Sequence, residues 1–185
     1  MDYKTKPISR NDLRAIARWA WSFFECKNKL RFDVIGAFEK ITELTGGKVT
    51  TEIVEDDDTF IIADTKVPAA CSPDFEGGYH IAVRESVYDG ACKGVGGYRA
   101  HIVHEMSHAI LCLFGFTPVL ERSFGNYEIQ PIYTSMEWQA KALAGEILVP
   151  YEKTIGMSEK QIRFYCKVSS DLAKHRLSLD KKGDT

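Results

Sequence analysis

Residues 104 to 108 read His104-Glu105-Met106-Ser107-His108. On a helix of 3.6 residues per turn, two histidines four positions apart lie one above the other on one face. Two imidazoles so placed suit a single zinc ion, and Glu105, rotated by about 100°, reaches toward a water beside it. Zinc lowers the pKa of such a water, and a neighbouring carboxylate takes the proton as a carbonyl is attacked. The spacing therefore predicts a metallohydrolase, with a peptidase favoured. The competing reading is a pair of surface histidines beside an ordinary acid. The flanks Ala100, Ile102, Val103, Ala109, Ile110, Leu111 and Leu113 argue against it, because they predict a largely buried helix. Unpaired polar groups in such a helix are costly and need a purpose.

A catalytic zinc takes three protein ligands and one open position. His101 lies on roughly the same face, but 101 to 108 spans about 10 Å of helix axis, too far for three ligands on one ion. It is expected to be a neighbour. The metzincin extension requires Gly at 111 and His at 114; the residues are Leu111 and Phe114, so that class is excluded. A downstream acid is expected instead, as in glutamate-zincins, and the candidates are Glu121, Glu128, Glu137 and Glu146. The first two fall in an irregular stretch. Glu137 and Glu146 share a predicted helix, where Ala140 and Ala144 would permit close approach to the motif helix. Spacing alone favours Glu137 over Glu146 only slightly.

The elements that must position these groups follow from periodicity and punctuation. Ser9 and Asp12 mark a helix start, with Leu13, Ile16, Ala17, Ala20, Trp21 and Phe24 at helical spacing. A second helix is predicted over 32–44, ended by Gly46-Gly47. Residues 48–54, 59–63 and 79–84 read as strands separated by Asp56-Asp57-Asp58 and by the 73–78 turn. The motif helix is predicted from near Tyr98 to Gly115, an irregular stretch over 116–132, a helix over 135–149, and two short helices over 158–168 and 169–179. The expected class is α+β: a helical domain with a small, mostly antiparallel three-stranded sheet packed on the HExxH helix, in a gluzincin-like arrangement. One metallopeptidase domain is expected over 1–179. It comprises N-terminal helices (1–47), the sheet and zinc-site helices (48–150), a C-terminal helix pair (151–179), and then a flexible tail over 180–185.

The 185-residue chain suits one domain, and a net charge of −2 does not recommend DNA or a membrane surface as partner. Five scattered cysteines without a CxxC pair suggest neither a disulfide framework nor a Cys-rich zinc site. They favour a cytoplasmic setting, and the N-terminus lacks the apolar run of a signal peptide.

Three stretches carry a family resemblance. Arg84-Glu85-Ser86-Val87-Tyr88-Asp89-Gly90-Ala91, followed by Arg99 five residues before the first motif histidine and by the motif itself, resembles the ImmA/IrrE metallopeptidase family. So does 137–150, an acidic helix closing on Leu148-Val149-Pro150, and so does 168–177. Together they cover roughly residues 79 to 179. The resemblance implies Glu137 as the third zinc ligand beside His104 and His108, with Glu105 as general base. It also implies a prophage or mobile-element anti-repressor that cuts or disables a helix-turn-helix repressor. Two positions depart from the family pattern: Lys141 stands where Asn is common, and Ser107 where Gly is usual. Neither removes a ligand, and Lys141 is expected to change the charge near the site.

Arg99 is expected to support the motif helix rather than polarise a carbonyl. Tyr88, Tyr98, Tyr151 and His175 are unranked candidates for oxyanion stabilisation. Cys112 reads as a small buried hydrophobe. Residues 162–177 suggest a helix-turn-helix with Lys174, His175 and Arg176 on phosphates, but a packing pair of helices is favoured in an acidic chain. The alternatives to a peptidase are a repressor-sequestering protein with a structural zinc, or a DNA-binding regulator using those helices.

Overall fold

Local chemistry sets the first two helices of the computed structural model, which describes residues 3–74, 76–118 and 131–181. Ser9 caps α1 (Arg10–Phe23) by accepting the Asp12 N–H at 3.1 Å, and the apolar stripe from Leu13 to Trp21 is buried. Asp33 caps α2 (Val34–Leu44) through the Gly36 N–H, two residues later than the predicted start. Gly46 and Gly47, both at positive φ, turn the chain out of α2.

The sheet departs from the expected pattern. Its strands are β1 (Val49–Val54), β2 (Ala69–Pro73) and β3 (Tyr79–Arg84), in the order β1-β3-β2. The β1–β3 pair is parallel from Val49 opposite Tyr79 to Val54 opposite Arg84, and only β2–β3 is antiparallel. The sheet is thus mixed, not mostly antiparallel. The predicted strand at 59–63 is absent; Phe60 is almost fully exposed and only Ile62 is buried there. The reason is Arg84, 3 % exposed, which donates to the main-chain carbonyls of Glu55, Asp56, Asp58, Ile62, Asp64 and Val67. Gathering these carbonyls bends the segment around one guanidinium, and the Asp58 carboxylate takes the N–H groups of Phe60 and Ile61 that a ladder would need. The excursion carries the chain past β3, so the next strand enters on the far side.

β3 passes directly into α3 (Glu85–Cys92), a helix not anticipated from the sequence. The motif helix α4 (Gly96–Leu113) starts two residues before Tyr98. A Cβ at Gly96 would meet the Val168 and Ser169 backbone at 2.5 to 2.8 Å, so only glycine allows this approach. At the other end Gly115, φ +78°, lets the Phe116 N–H return to the Leu111 carbonyl. Ile102, Val103, Met106, Ala109, Ile110 and Leu111 are at most 1 % exposed. Each of these larger than alanine contributes roughly 1.5–3 kcal/mol by burial.

A 3-10 turn (Ile132–Thr134) leads into α5 (Met136–Leu148), capped by Ser135 accepting from the Trp138 N–H at 2.9 Å. The short α6 (Tyr151–Thr154) follows, then α7 (Glu159–Cys166), which begins with a Ser158–Gln161 capping box, and α8 (Ser170–Lys181). Helix α4 packs on α5, α3, α2, β2 and β3, and α5 also packs on α1. The described residues thus form an α+β fold with eight α-helices and a three-stranded mixed sheet against the motif helix. No helix among them is long and apolar enough to cross a membrane.

Candidate metal centre

His104 and His108 leave α4 on one face, with ring centroids 4.7 Å apart. Glu137, in the first turn of α5, faces both: its carboxylate oxygens lie 3.4 Å from His104 Nε2 and 3.2 Å from His108 Nε2. One ligand atom from each of the three lies within 4.8 Å of the others, an arrangement able to hold a metal ion. Bonds of about 2.1 Å in a tetrahedron set ligand atoms roughly 3.4 Å apart, so the spacing and the two-nitrogen, one-oxygen donor set both fit zinc. Ala140, Leu143 and Ala144 are buried on α5, which lets that helix approach α4.

The start of α5 is tied down from far away in the chain. The Thr5 N–H donates to the Thr134 carbonyl at 2.8 Å, and the Met136 N–H to the Tyr3 carbonyl at 2.9 Å. Buried Gln139 adds two bonds of 2.8 Å from its amide, to the carbonyls of Lys6 and Tyr133. The segment 3–6 therefore fixes the turn that carries Glu137. No periodicity or motif marks this clamp.

The electrostatics of the face are unusual. Burial, then the negative charge of Glu137, pushes the Glu105 carboxyl up to about 7, partly offset by the Cys71 backbone N–H on β2. A carboxylate in that range can accept and return a proton near neutrality. Burial, then the proximity of His108, lowers His104 to about 4; Lys141 acts in the same direction and Glu137 against it. His104 is thus neutral, the state a ligand requires. Its Nδ1 is buried without a hydrogen-bond partner among the described residues, whereas metal-bound histidines usually donate that hydrogen to a fixed acceptor.

The other candidates fall elsewhere. His101 is exposed and outside the triad. Glu146 is buried on the opposite side of α5, 3.5 Å from Arg14 and 3.6 Å from Arg10. Glu121 and Glu128 lie outside the described residues. Arg99 donates to the carbonyls of Phe32 and Lys167, joining α4 to two neighbouring segments as a support would. Tyr88 is engaged with Glu39 at 2.6 Å, Tyr98 covers Gly90, and Tyr151 lies between the guanidinium groups of Arg14 and Arg176. His175 alone of the four shares a cavity with His104, a space of about 470 Å³ walled by Trp138, Leu148 and Leu172. Ser107 is fully buried and its hydroxyl bonds the Val103 carbonyl one turn back. Cys112 is buried and donates weakly to the Phe116 carbonyl.

Arg176 is 3 % exposed, holding Asp180 at 2.7 Å and the Tyr151 carbonyl at 3.0 Å. It is not offered to a phosphate backbone, which removes the strongest cation from the suggested helix-turn-helix. In comparisons with known proteins, no family model and no curated protein matches the chain.

Proposed function

We propose that this chain is a zinc-dependent endopeptidase with His104, His108 and Glu137 as metal ligands and Glu105 as general base. The observation that carries the reading is the meeting of Glu137, from a second helix, with both motif histidines at 3.2 and 3.4 Å. Zinc in that triad would supply Lewis-acid polarisation of a scissile carbonyl and acidify a water. Glu105, near neutrality in its proton affinity, accepts that water's proton and returns it to the leaving amine. The cavity beside His104 gives room for one substrate side chain, with Lys141 and Arg10 at its edge and His175 able to donate toward a developing oxyanion.

The substrate proposed is a helix-turn-helix repressor, inactivated by cleavage, in a cytoplasmic anti-repressor role. That part rests on the resemblance of 79–179 to the ImmA/IrrE family. The test is purified protein with zinc, incubated with a repressor encoded beside it. Cleavage that is lost in Glu105→Gln while bound zinc is kept supports the reading. Cleavage undiminished in that variant sinks the mechanism. Loss of operator binding with an intact repressor would instead favour sequestration.

A further inference from the structure

On the far side of α4's first turn lies a second cavity, about 810 Å³, within the size range of small-molecule sites. Six cations line it: Lys27, Arg31, Lys40, Lys93, Arg99 and Lys167. Only Glu25 and Asp33 oppose them, and Asp33 already caps α2. In a chain of net charge −2 this is a strong local concentration of positive charge. Lys27, Arg31, Lys40 and Lys93 have no ion pair with a carboxylate among the described residues.

Arg99 makes the case sharper. It is 6 % exposed, lines the cavity, and is bonded to two carbonyls but to no carboxylate. Arg84 is equally buried and equally without a carboxylate, yet six carbonyls satisfy it. Arg99 has two acceptors, one on Nε and one on Nη2, for five hydrogens. Burial and then the nearby Arg31 disfavour its charge, and Asp33 only partly offsets them. A largely buried guanidinium with two acceptors, in a wall of six cations and two acids, is favoured by an added anion.

We infer that this cavity binds a small phosphorylated ligand carrying at least two phosphates, with Arg99 as its buried anchor and Arg31, Lys40 and Lys93 around the rim. Two or more phosphates match the excess of cations, and a planar guanidinium bonds phosphate oxygens in pairs. The concave shape favours a small molecule over a nucleic acid, which needs a stripe or groove of basic residues. The site is separate from the candidate metal centre and stands without the peptidase reading.

Calorimetric titration with inorganic pyrophosphate and with ATP tests it. Saturable one-to-one binding of at least one probe below about 1 mM is expected, weakened about tenfold or more in an Arg31→Ser/Lys93→Ser double variant. These two residues are exposed, so the variant should fold, which its thermal transition checks. Arg99→Lys, keeping charge but losing the fork, should weaken binding as well. Tighter binding of ATP than pyrophosphate identifies a nucleotide; the reverse identifies a bare polyphosphate group, and either supports the site. Absence of saturable heat with both probes overturns it, as does affinity unchanged in the double variant. Preferential binding of a short DNA duplex through the same two residues overturns the small-molecule assignment.

Discussion

Glu137 and Glu146 stand nine positions apart on α5, which on a helix places them about 180° from each other. One faces α4 and the other faces α1. Glu146 is 4 % exposed and sits among arginines, with Arg14 and Arg10 as ion-pair partners and Arg14 and Arg176 stacked on Tyr151. Burial raises its pKa despite those cations. Glu137 has its side chain 41 % exposed and faces two imidazoles, of which His104 is held neutral. The first carboxylate has its countercharge built into the fold. The second meets the imidazoles of His104 and His108, and the three together form a group that could hold a metal ion. The same residue type on one helix thus serves two purposes, decided by which face it occupies.

Removing each acid should separate the two roles, but the largest expected effect belongs to the group beside them. Glu105→Gln should lower peptidase activity by about 10²–10⁴-fold with zinc retained, measured by cleavage rate and metal content. Glu146→Ala should cost about 3–5 kcal/mol in chemical denaturation, because it removes the buried carboxylate that faces buried Arg14. The folded fraction should still bind zinc. Glu137→Ala should do the reverse: zinc affinity falls by about 100-fold, with little change in the stability of the metal-free protein. Should Glu146→Ala abolish zinc binding in a protein shown to be folded, the division between the faces is wrong.

The metal-free protein offers a further contrast, in pH. Glu105 rises from 4.5 to about 7 on folding, so its charge opposes folding fully above pH 7 and not at all below 4.5. Glu105→Gln in chelator should therefore gain about 2 kcal/mol of stability at pH 8, shrinking to nothing near pH 4.5. His104 acts with the opposite slope. Its folded pKa is depressed from 6.5 to about 4, so stability falls as pH drops through that interval in both proteins. Thermal melts of the pair across pH 4–8 isolate the Glu105 difference. A gain that is equal at every pH would show that burial of its charge is not the cause.

The helices that could be placed from sequence are those with stripes and stops: α1 through Ser9 and its stripe, α2 through Gly46-Gly47, α4 through the run Ile102 to Leu111, α5 through Pro150, and the short pair α7 and α8. Strand β2 did not, because Ala-Ala-Cys-Ser-Pro has no β-branched or aromatic residue. The apolar run at 59–63 looked more like a strand and is held open by Arg84, whose acceptors lie 17 to 29 residues before it. Helix α3 has too short a stripe to stand out. At the candidate metal centre, helical spacing aligned the histidines, but Glu137 and Glu146 were nearly equal until α5 was packed on its neighbours. That packing depends on contacts remote in sequence, which no local pattern carries.

The clamp on α5 shows why such contacts matter, and it gives the smallest predicted effect. Gln139→Ala removes two half-buried bonds, donated by the amide to the Lys6 and Tyr133 carbonyls, while leaving α4 untouched. Two carbonyls lose their partner, but both belong to exposed residues, so a cost of about 1–2 kcal/mol in denaturation is expected. Glu137 sits two residues earlier, in the turn this bond anchors. Loosening the turn should weaken zinc binding about threefold to tenfold, less than deleting the ligand itself. Competition titration against a chelator measures this. Stability lost with zinc affinity unchanged would mean that the segment 3–6 supports the fold without positioning Glu137, and that α4–α5 packing alone sets the triad.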